Sequence, residues 1–179
     1  GHIGTQLGIL AENLGMKVRY YDVENKLALG NAQSVTSLDE LLTVADVVTL
    51  HVPETAQTKN MIGATQLAKM KQGALLINAS RGTVIDIDAL YGVLKSGHLA
   101  GAAIDVSPKE PKSNKDEFVS PLREFDNVIL TPHIGGSTEE AQASIGREVA
   151  TALSAFLKTG STTGCVTLPV IDAALMDRI

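Results

Sequence analysis

The chain has 179 residues, with 15 Lys and Arg against 20 Asp and Glu, a net charge of −5. Its content, 44% apolar and 20% charged, excludes wholesale disorder, and its mild acidity argues against a nucleic-acid or anionic-membrane binder. One cysteine, Cys165, excludes an intramolecular disulfide, and no apolar run reaches the roughly 18 residues of a membrane span.

In chain order, residues 3–14 read as a helix, with Ile3, Leu7, Leu10 and Leu14 on one stripe and Gly15 at its stop. A strand is expected over 17–21. Ser37 caps a short helix over 38–44, with Glu40 in the capping-box position. Further strands are expected over 47–51, 74–79, 101–106 and 127–131, nearly all apolar, as in strands covered on both faces. Asp86 or Asp88 caps a helix over 89–95, and Gly97 lies past its end. A long helix over 137–157 starts at Ser137-Thr138-Glu139-Glu140, a sequence that also suits the helix dipole. Residues 107–127 read as a long polar loop with no helix of its own. Strands alternating with helices predict an α/β fold with a doubly wound parallel sheet. No basic leader precedes the first helix, so a cytoplasmic setting is expected. The start at Gly1 rather than Met reads as that of a fragment.

Two constellations point to chemistry. The first is Gly1-His2-Ile3-Gly4, followed at once by a helix, then a strand closed by Asp22, eighteen residues past Gly4. This is the back end of a dinucleotide fingerprint. Gly1 lets the backbone approach a pyrophosphate, and the helix start offers N–H groups and a positive dipole. Gly4 permits close helix–strand packing. Asp22 accepts from the ribose hydroxyls and repels a 2′-phosphate, which favours NAD over NADP. The same residues also fit a plain tight turn and a surface aspartate.

The second constellation is positional. Ligands of open parallel sheets bind outside the carboxyl ends of the strands. There the sequence places His51-Val52-Pro53, Ser80-Arg81-Gly82, Asp105 followed by Glu110-Pro111, and Pro132-His133-Ile134-Gly135-Gly136. Arg81, Glu110 and His133 together supply an anion clamp, a carboxylate and a proton shuttle, a set suited to dehydrogenating a hydroxy acid. Taken singly, each has an ordinary alternative. Arg81 can pair with a carboxylate, Glu110 can be a solvated acid, and His133 can be structural. Asp105 can cap a helix, and His51 can be a hydrogen-bonded packing residue. His98 is expected to be solvated in its turn, and the backbone of His2 matters more than its ring. The four histidines lack a tight ligand spacing, so no metal site is expected. A serine-nucleophile elbow is absent.

Three runs carry a resemblance: Leu75-Leu76-Ile77-Asn78-Ala79-Ser80-Arg81-Gly82, Gly101-Ala102-Ala103-Ile104-Asp105-Val106 with Glu110-Pro111, and Thr131-Pro132-His133-Ile134-Gly135-Gly136-Ser137-Thr138. Residues 21–27 and 125–128 add to it. From Gly1 to about Pro169 the chain resembles the D-isomer-specific 2-hydroxyacid dehydrogenases. The resemblance implies a Rossmann-type NAD-binding domain over 1–136, a long helix over 137–160 returning to a substrate domain, and a linker over 161–179 leading towards a regulatory domain. It implies that Arg81 binds the substrate carboxylate, that His133 exchanges the hydroxyl proton, and that Glu110 supports His133. NAD contacts are implied for Gly1, His2, Ile3, Gly4, Asp22, His51, Val52, Pro53, Ala79, Ser80, Arg81, Asp105, His133, Ile134, Gly135 and Gly136.

A small-molecule substrate is implied, a phosphorylated D-2-hydroxy acid such as 3-phosphoglycerate at the entry to serine biosynthesis. The alternatives are a glyoxylate or hydroxypyruvate reductase and an NAD(H)-sensing binding protein of the same fold. A homodimer or homotetramer is implied, with no nucleic-acid or membrane partner. Against the family pattern, the fingerprint's first glycine, the strand before it and the early part of the substrate domain are missing. That strand is central, so its loss should leave unpaired backbone and exposed apolar surface. The chain by itself is therefore expected to fold poorly and to be inactive.

Overall fold

The computed structural model describes residues 1–165 except 25, 112 and 114, so most of the expected linker lies outside the described residues. The chain divides into two compact units, Gly1–His133 and Ile134–Ile179. In the first, α1 (His2–Asn13) leads to β1 (Arg19–Tyr20) and β2 (Gln33–Ser34), which pair in parallel. Then follow α2 (Leu38–Val44), β3 (Val47–Leu50), α3 (Ala64–Lys69), β4 (Leu75–Asn78), α4 (Ile87–Lys95), β5 (Gly101–Ile104) and β6 (Val128–Leu130). These last four strands form one parallel sheet in the order β3-β4-β5-β6. The expected strands are all present, each trimmed at its ends. Sequence reading missed β2 and α3. β2 is two exposed polar residues with no alternation to read, and α3 is a six-residue helix that fully buries only Leu67.

Local chemistry sets the helix starts. Ser37 Oγ accepts from the Glu40 N–H at 3.1 Å. The reciprocal arm of the box reaches one residue further back, where Glu40 Oε2 accepts from Thr36 N at 2.9 Å and Thr36 Oγ1 at 2.8 Å. These bonds hold the Glu40 carboxyl below its ordinary range. Asp86 caps α4, its Oδ1 accepting from the N–H groups of Asp88 and Ala89, both at 3.1 Å. Within the 107–127 loop, a 3-10 turn over Pro121–Glu124 plugs a fully buried Leu122 into the core. This corrects the expectation of a loop without helical structure. The small apolar footprint of a single turn gave no periodic signal.

The core lies on one side of the sheet. Leu42 of α2, Leu67 of α3, Leu90 and Leu94 of α4, and Leu122 pack with Val48, Leu50, Leu76, Ala102 and Ile104 of the strands. The opposite face is more open. Val47 and Leu75 remain about two-fifths exposed and Ile129 about two-thirds. The expectation of strands covered on both faces is thus met on one face only among the described residues. The reason is visible in α1. It meets the strands through two glycines, Gly4 beside His51 and Gly8 beside Val18. Its apolar stripe Ile3, Leu7, Leu10 and Leu14 is exposed, and it buries no residue fully. Among the described residues no strand pairing joins β1–β2 to the four-stranded sheet. His98, expected to be solvated, is half-buried, with its Nε2 lacking a partner among the described residues. Its backbone is pinned by bonds to Val93 O and from Gly73 N, which fold the turn back onto the domain.

In the second unit, α5 (Glu139–Thr159) is capped by Thr138, whose Oγ1 accepts from Ala141 N at 3.1 Å, and it stops at Gly160. Ile145, Val149, Leu153 and Phe156 form an exposed apolar stripe along it. Among the described residues no helix is long and apolar enough to cross a membrane.

Two predictions follow from this packing. A Cβ on Gly101 would sit 2.5 Å from the Asn127 carbonyl oxygen. Gly101→Ala is therefore expected to destabilise the fold by about 1–3 kcal/mol in urea unfolding, the usual effect of overpacking. His51 is also sensitive to pH. Its partial burial, and secondly the positive amino group of Gly1, lower its pKa from the ordinary 6.5. As the pH falls below that value, the unfolded chain binds the proton first and stability declines. Unfolding midpoints at about pH 7.5 and about pH 5.5 should show that decline, and His51→Gln should flatten it.

Candidate active site

The site is built at the carboxyl ends of β4, β5 and β6. Asn78 stands opposite Ile104, and Ile104 opposite Leu130, so the three chains leave the sheet at one level. After β4, the chain turns through Ala79, Ser80 and Arg81 into a 3-10 turn, Gly82–Val84. Arg81 is extended, and its Nη1 donates to Ser80 O at 2.7 Å. It makes no ion pair among the described residues, so the carboxylate-pairing alternative is not what holds it. Gly82 is fully enclosed. A Cβ there would lie 2.2 Å from the Ser107 carbonyl carbon, so only glycine lets the Arg81 turn lie against the loop after β5.

That loop supplies Asp105 and Glu110. Asp105 caps no helix. Its Oδ1 accepts from Thr131 Oγ1 at 2.6 Å and from the His133 N–H at 3.2 Å. These bonds hold the chain just where His133 takes a left-handed φ of 51°, an uncommon state for a non-glycine residue. Glu110 Oε1 accepts from the Ser107 N–H at 3.1 Å. Both Glu110 oxygens face His133 Nδ1, at 2.9 and 3.1 Å. An ionised carboxylate only accepts, so Nδ1 carries the proton and Nε2 is the atom left for exchange with a ligand.

Arg81, Glu110 and His133 line one cavity of about 230 Å³, walled also by Gly82, Ser107 and Glu54. Glu54 was not singled out from the sequence. Its Oε2 accepts from Thr83 Oγ1 at 2.8 Å across 29 residues. Nothing local in the sequence signals that pairing.

Most of the expected cofactor residues fall in four groups. Gly1 and Asp22 come together: the Gly1 amino group lies 3.7 Å from Asp22 Oδ2, while Oδ1 accepts from Glu24 N at 3.0 Å. His2 and Ile3 are exposed on the first turn of α1. His51-Val52-Pro53 follows β3. His51 packs against Gly4, and its Nε2 is 3.0 Å from Thr49 Oγ1. Ser80 is buried and Ala79 exposed. Ile134, Gly135 and Gly136 open the second unit, where Ile134 O accepts from Ser137 N and Gly136 O from Gln142 Nε2. The residues fit a dinucleotide. The first turn of α1 has no side-chain cap on its N–H groups. Asp22 presents a partly exposed carboxylate beside them. Among the described residues no group of three or more His, Cys, Asp or Glu could hold a metal ion.

Residues 1–135 match the family described as D-isomer specific 2-hydroxyacid dehydrogenase, NAD binding domain. The chain is 63% identical over 175 residues to the D-3-phosphoglycerate dehydrogenase of Escherichia coli (strain K12), an alignment covering 98% of this chain and 43% of that protein. It is 34% identical to a solved D-2-hydroxyisocaproate dehydrogenase, with a TM-score of 0.79, covering 90% of this chain and 52% of the other. It is 32% identical to the NAD-complexed D-isomer specific 2-hydroxyacid dehydrogenase of Lactobacillus delbrueckii ssp. bulgaricus, with a TM-score of 0.78, covering 88% and 52%. The chain thus spans about two-fifths of the length of the curated relative and about half that of the solved ones. With three-quarters of its residues inside one family match, the chain belongs to the D-isomer specific 2-hydroxyacid dehydrogenases and carries their NAD-binding domain.

Proposed function

We propose that this site serves an NAD-dependent oxidoreductase acting on a D-2-hydroxy acid, most closely a D-3-phosphoglycerate dehydrogenase that converts 3-phosphoglycerate to 3-phosphohydroxypyruvate in serine biosynthesis. The observation that carries this reading is the meeting of Arg81, Glu110 and His133 in one cavity. The relatives named D-3-phosphoglycerate dehydrogenase, 52–63% identical, support the substrate class.

In this reading Arg81 clamps the substrate carboxylate through paired charged hydrogen bonds. His133 Nε2 takes the hydroxyl proton as C2 is oxidised and returns it in the reverse direction. Glu110 holds the ring in the Nδ1–H tautomer and balances its positive charge once Nε2 is protonated. The chemistry a bound NAD would supply is that of an acceptor for the hydride lost from C2. The first turn of α1 and Asp22 would hold the dinucleotide, with Ala79, Ser80 and Asp105 along it. The cavity sets Glu54 and Glu110 against a single guanidinium, Arg81. A substrate phosphate therefore needs cations from outside this cavity. A homodimer or homotetramer in the cytoplasm completes the proposal.

Experiments on the full-length gene product test it. NADH consumption should be fastest with 3-phosphohydroxypyruvate. Preference for glyoxylate or hydroxypyruvate would favour the reductase alternative, and NADH binding without turnover of any 2-keto acid would favour a sensor. Arg81→Ala should lower kcat/KM by about a hundredfold or more, since two charged hydrogen bonds of roughly 1.5–3 kcal/mol each are lost. His133→Gln should lower kcat by about 10²–10⁴ with NADH affinity retained. A second measurement concerns the cofactor. Asp22→Ala should raise the use of NADP relative to NAD by about tenfold, the effect of removing one like-charge repulsion. An unchanged ratio would remove Asp22 from the ribose site.

A further inference from the structure

β4 reads Leu75-Leu76-Ile77-Asn78, three apolar residues and then an amide that is only 1% exposed. A buried amide is costly unless its polar atoms are bonded. Every polar atom of this side chain is bonded, and all the bonds run to the next turn. Oδ1 accepts from Ser80 N at 3.0 Å and Ser80 Oγ at 2.8 Å. Nδ2 donates to Arg81 O at 3.0 Å. The amide therefore grips the chain on both sides of the Ser80–Arg81 peptide. That same Ser80 carbonyl takes the bond from Arg81 Nη1. On the far side, Gly82 is pressed against the Ser107 backbone with no room to give. The guanidinium is thus anchored to a peptide that is itself clamped from two directions. The main chain of Asn78 is equally committed, since its carbonyl accepts from Asp105 N at 2.9 Å.

The geometry points to Asn78 as the positioning residue for Arg81: the amide does not touch the substrate but fixes the turn from which the carboxylate clamp reaches into the cavity. An apolar residue would fill the same strand end, beside its register partners Leu50 and Ile104, without directing the turn. Aspartate would accept from Ser80 but could not donate to Arg81 O, so it breaks one arm only. The assignment rests on the role given to Arg81 above.

The test is a double-mutant cycle in the full-length gene product, with Asn78→Asp, Arg81→Ala and the pair. Asn78→Asp should raise the KM for the 2-keto acid about tenfold, and weaken a carboxylate dead-end analogue of the substrate equally. NADH affinity should stay within about twofold and the unfolding midpoint should show a folded protein. In the Arg81→Ala background the same change should have no further effect on kcat/KM. A merely structural asparagine would lower both backgrounds alike, and that additive result would overturn the assignment. So would an unchanged KM in folded Asn78→Asp. If that variant does not fold, Asn78→Ser, which keeps a hydroxyl at the strand end but cannot span both partners, is read by the same cycle with the same expected and refuting results. A silent Arg81→Ala would remove the functional reading itself, whereas a damaging Arg81→Ala with a silent Asn78→Asp would remove only this inference.

Discussion

Parallel pairing in register is the constraint on which the site depends. β4, β5 and β6 run the same way and end at one level, because Asn78, Ile104 and Leu130 stand side by side in the sheet. The chains that leave them carry Arg81, then Asp105 and Glu110, then His133. A shift of one residue in any strand would turn its inward residues outward and carry its loop away from the others. The buried face made by Leu76, Ala102 and Ile104 opposes such a shift, since slipping would expose it.

From that rim a continuous line of hydrogen bonds runs through the site. It passes from Arg81 O to Asn78, from Asn78 O to Asp105, from Asp105 to His133, from His133 to Glu110, and ends at Ser107 N. Most members sit at or near strand ends, where backbone groups have lost their ladder partners and side chains replace them. The line joins the loops after three strands without any one loop being long enough to do so. Its last pair is open to solvent, with the His133 and Glu110 side chains about 40% exposed. Water therefore screens their attraction in this state, and excluding it would strengthen the pair.

The two units contrast in how they use apolar surface. The first buries a full layer of leucines beneath one face of its sheet but leaves α1 and the opposite face open. The second places its apolar stripe along α5 in the open. Both follow from the hydrophobic effect acting where a partner surface exists.

Much of this was legible in the sequence, and for identifiable reasons. Four of the five strand signals were nearly all apolar, and Ser37, then Asp86 or Asp88, then the run from Ser137 to Glu140 marked helix starts by short-range bonds that need no tertiary partner. Arg81, Glu110 and His133 were readable because each follows a strand, and a parallel sheet collects such residues at one edge. The two-residue β2, the short α3 and the turn carrying Leu122 left no periodic trace. Nor could the sequence set the partners of Glu54, Asn78 and Asp105. Thr83 lies 29 residues from Glu54, and His133 lies 28 from Asp105. Sequence alone determined which side chains and caps were available and where the longer strands would run, because these depend on local chemistry and periodicity. Only the tertiary structure decided which face of the sheet is covered and which acceptor meets which donor, because those depend on distances between segments that are remote along the chain.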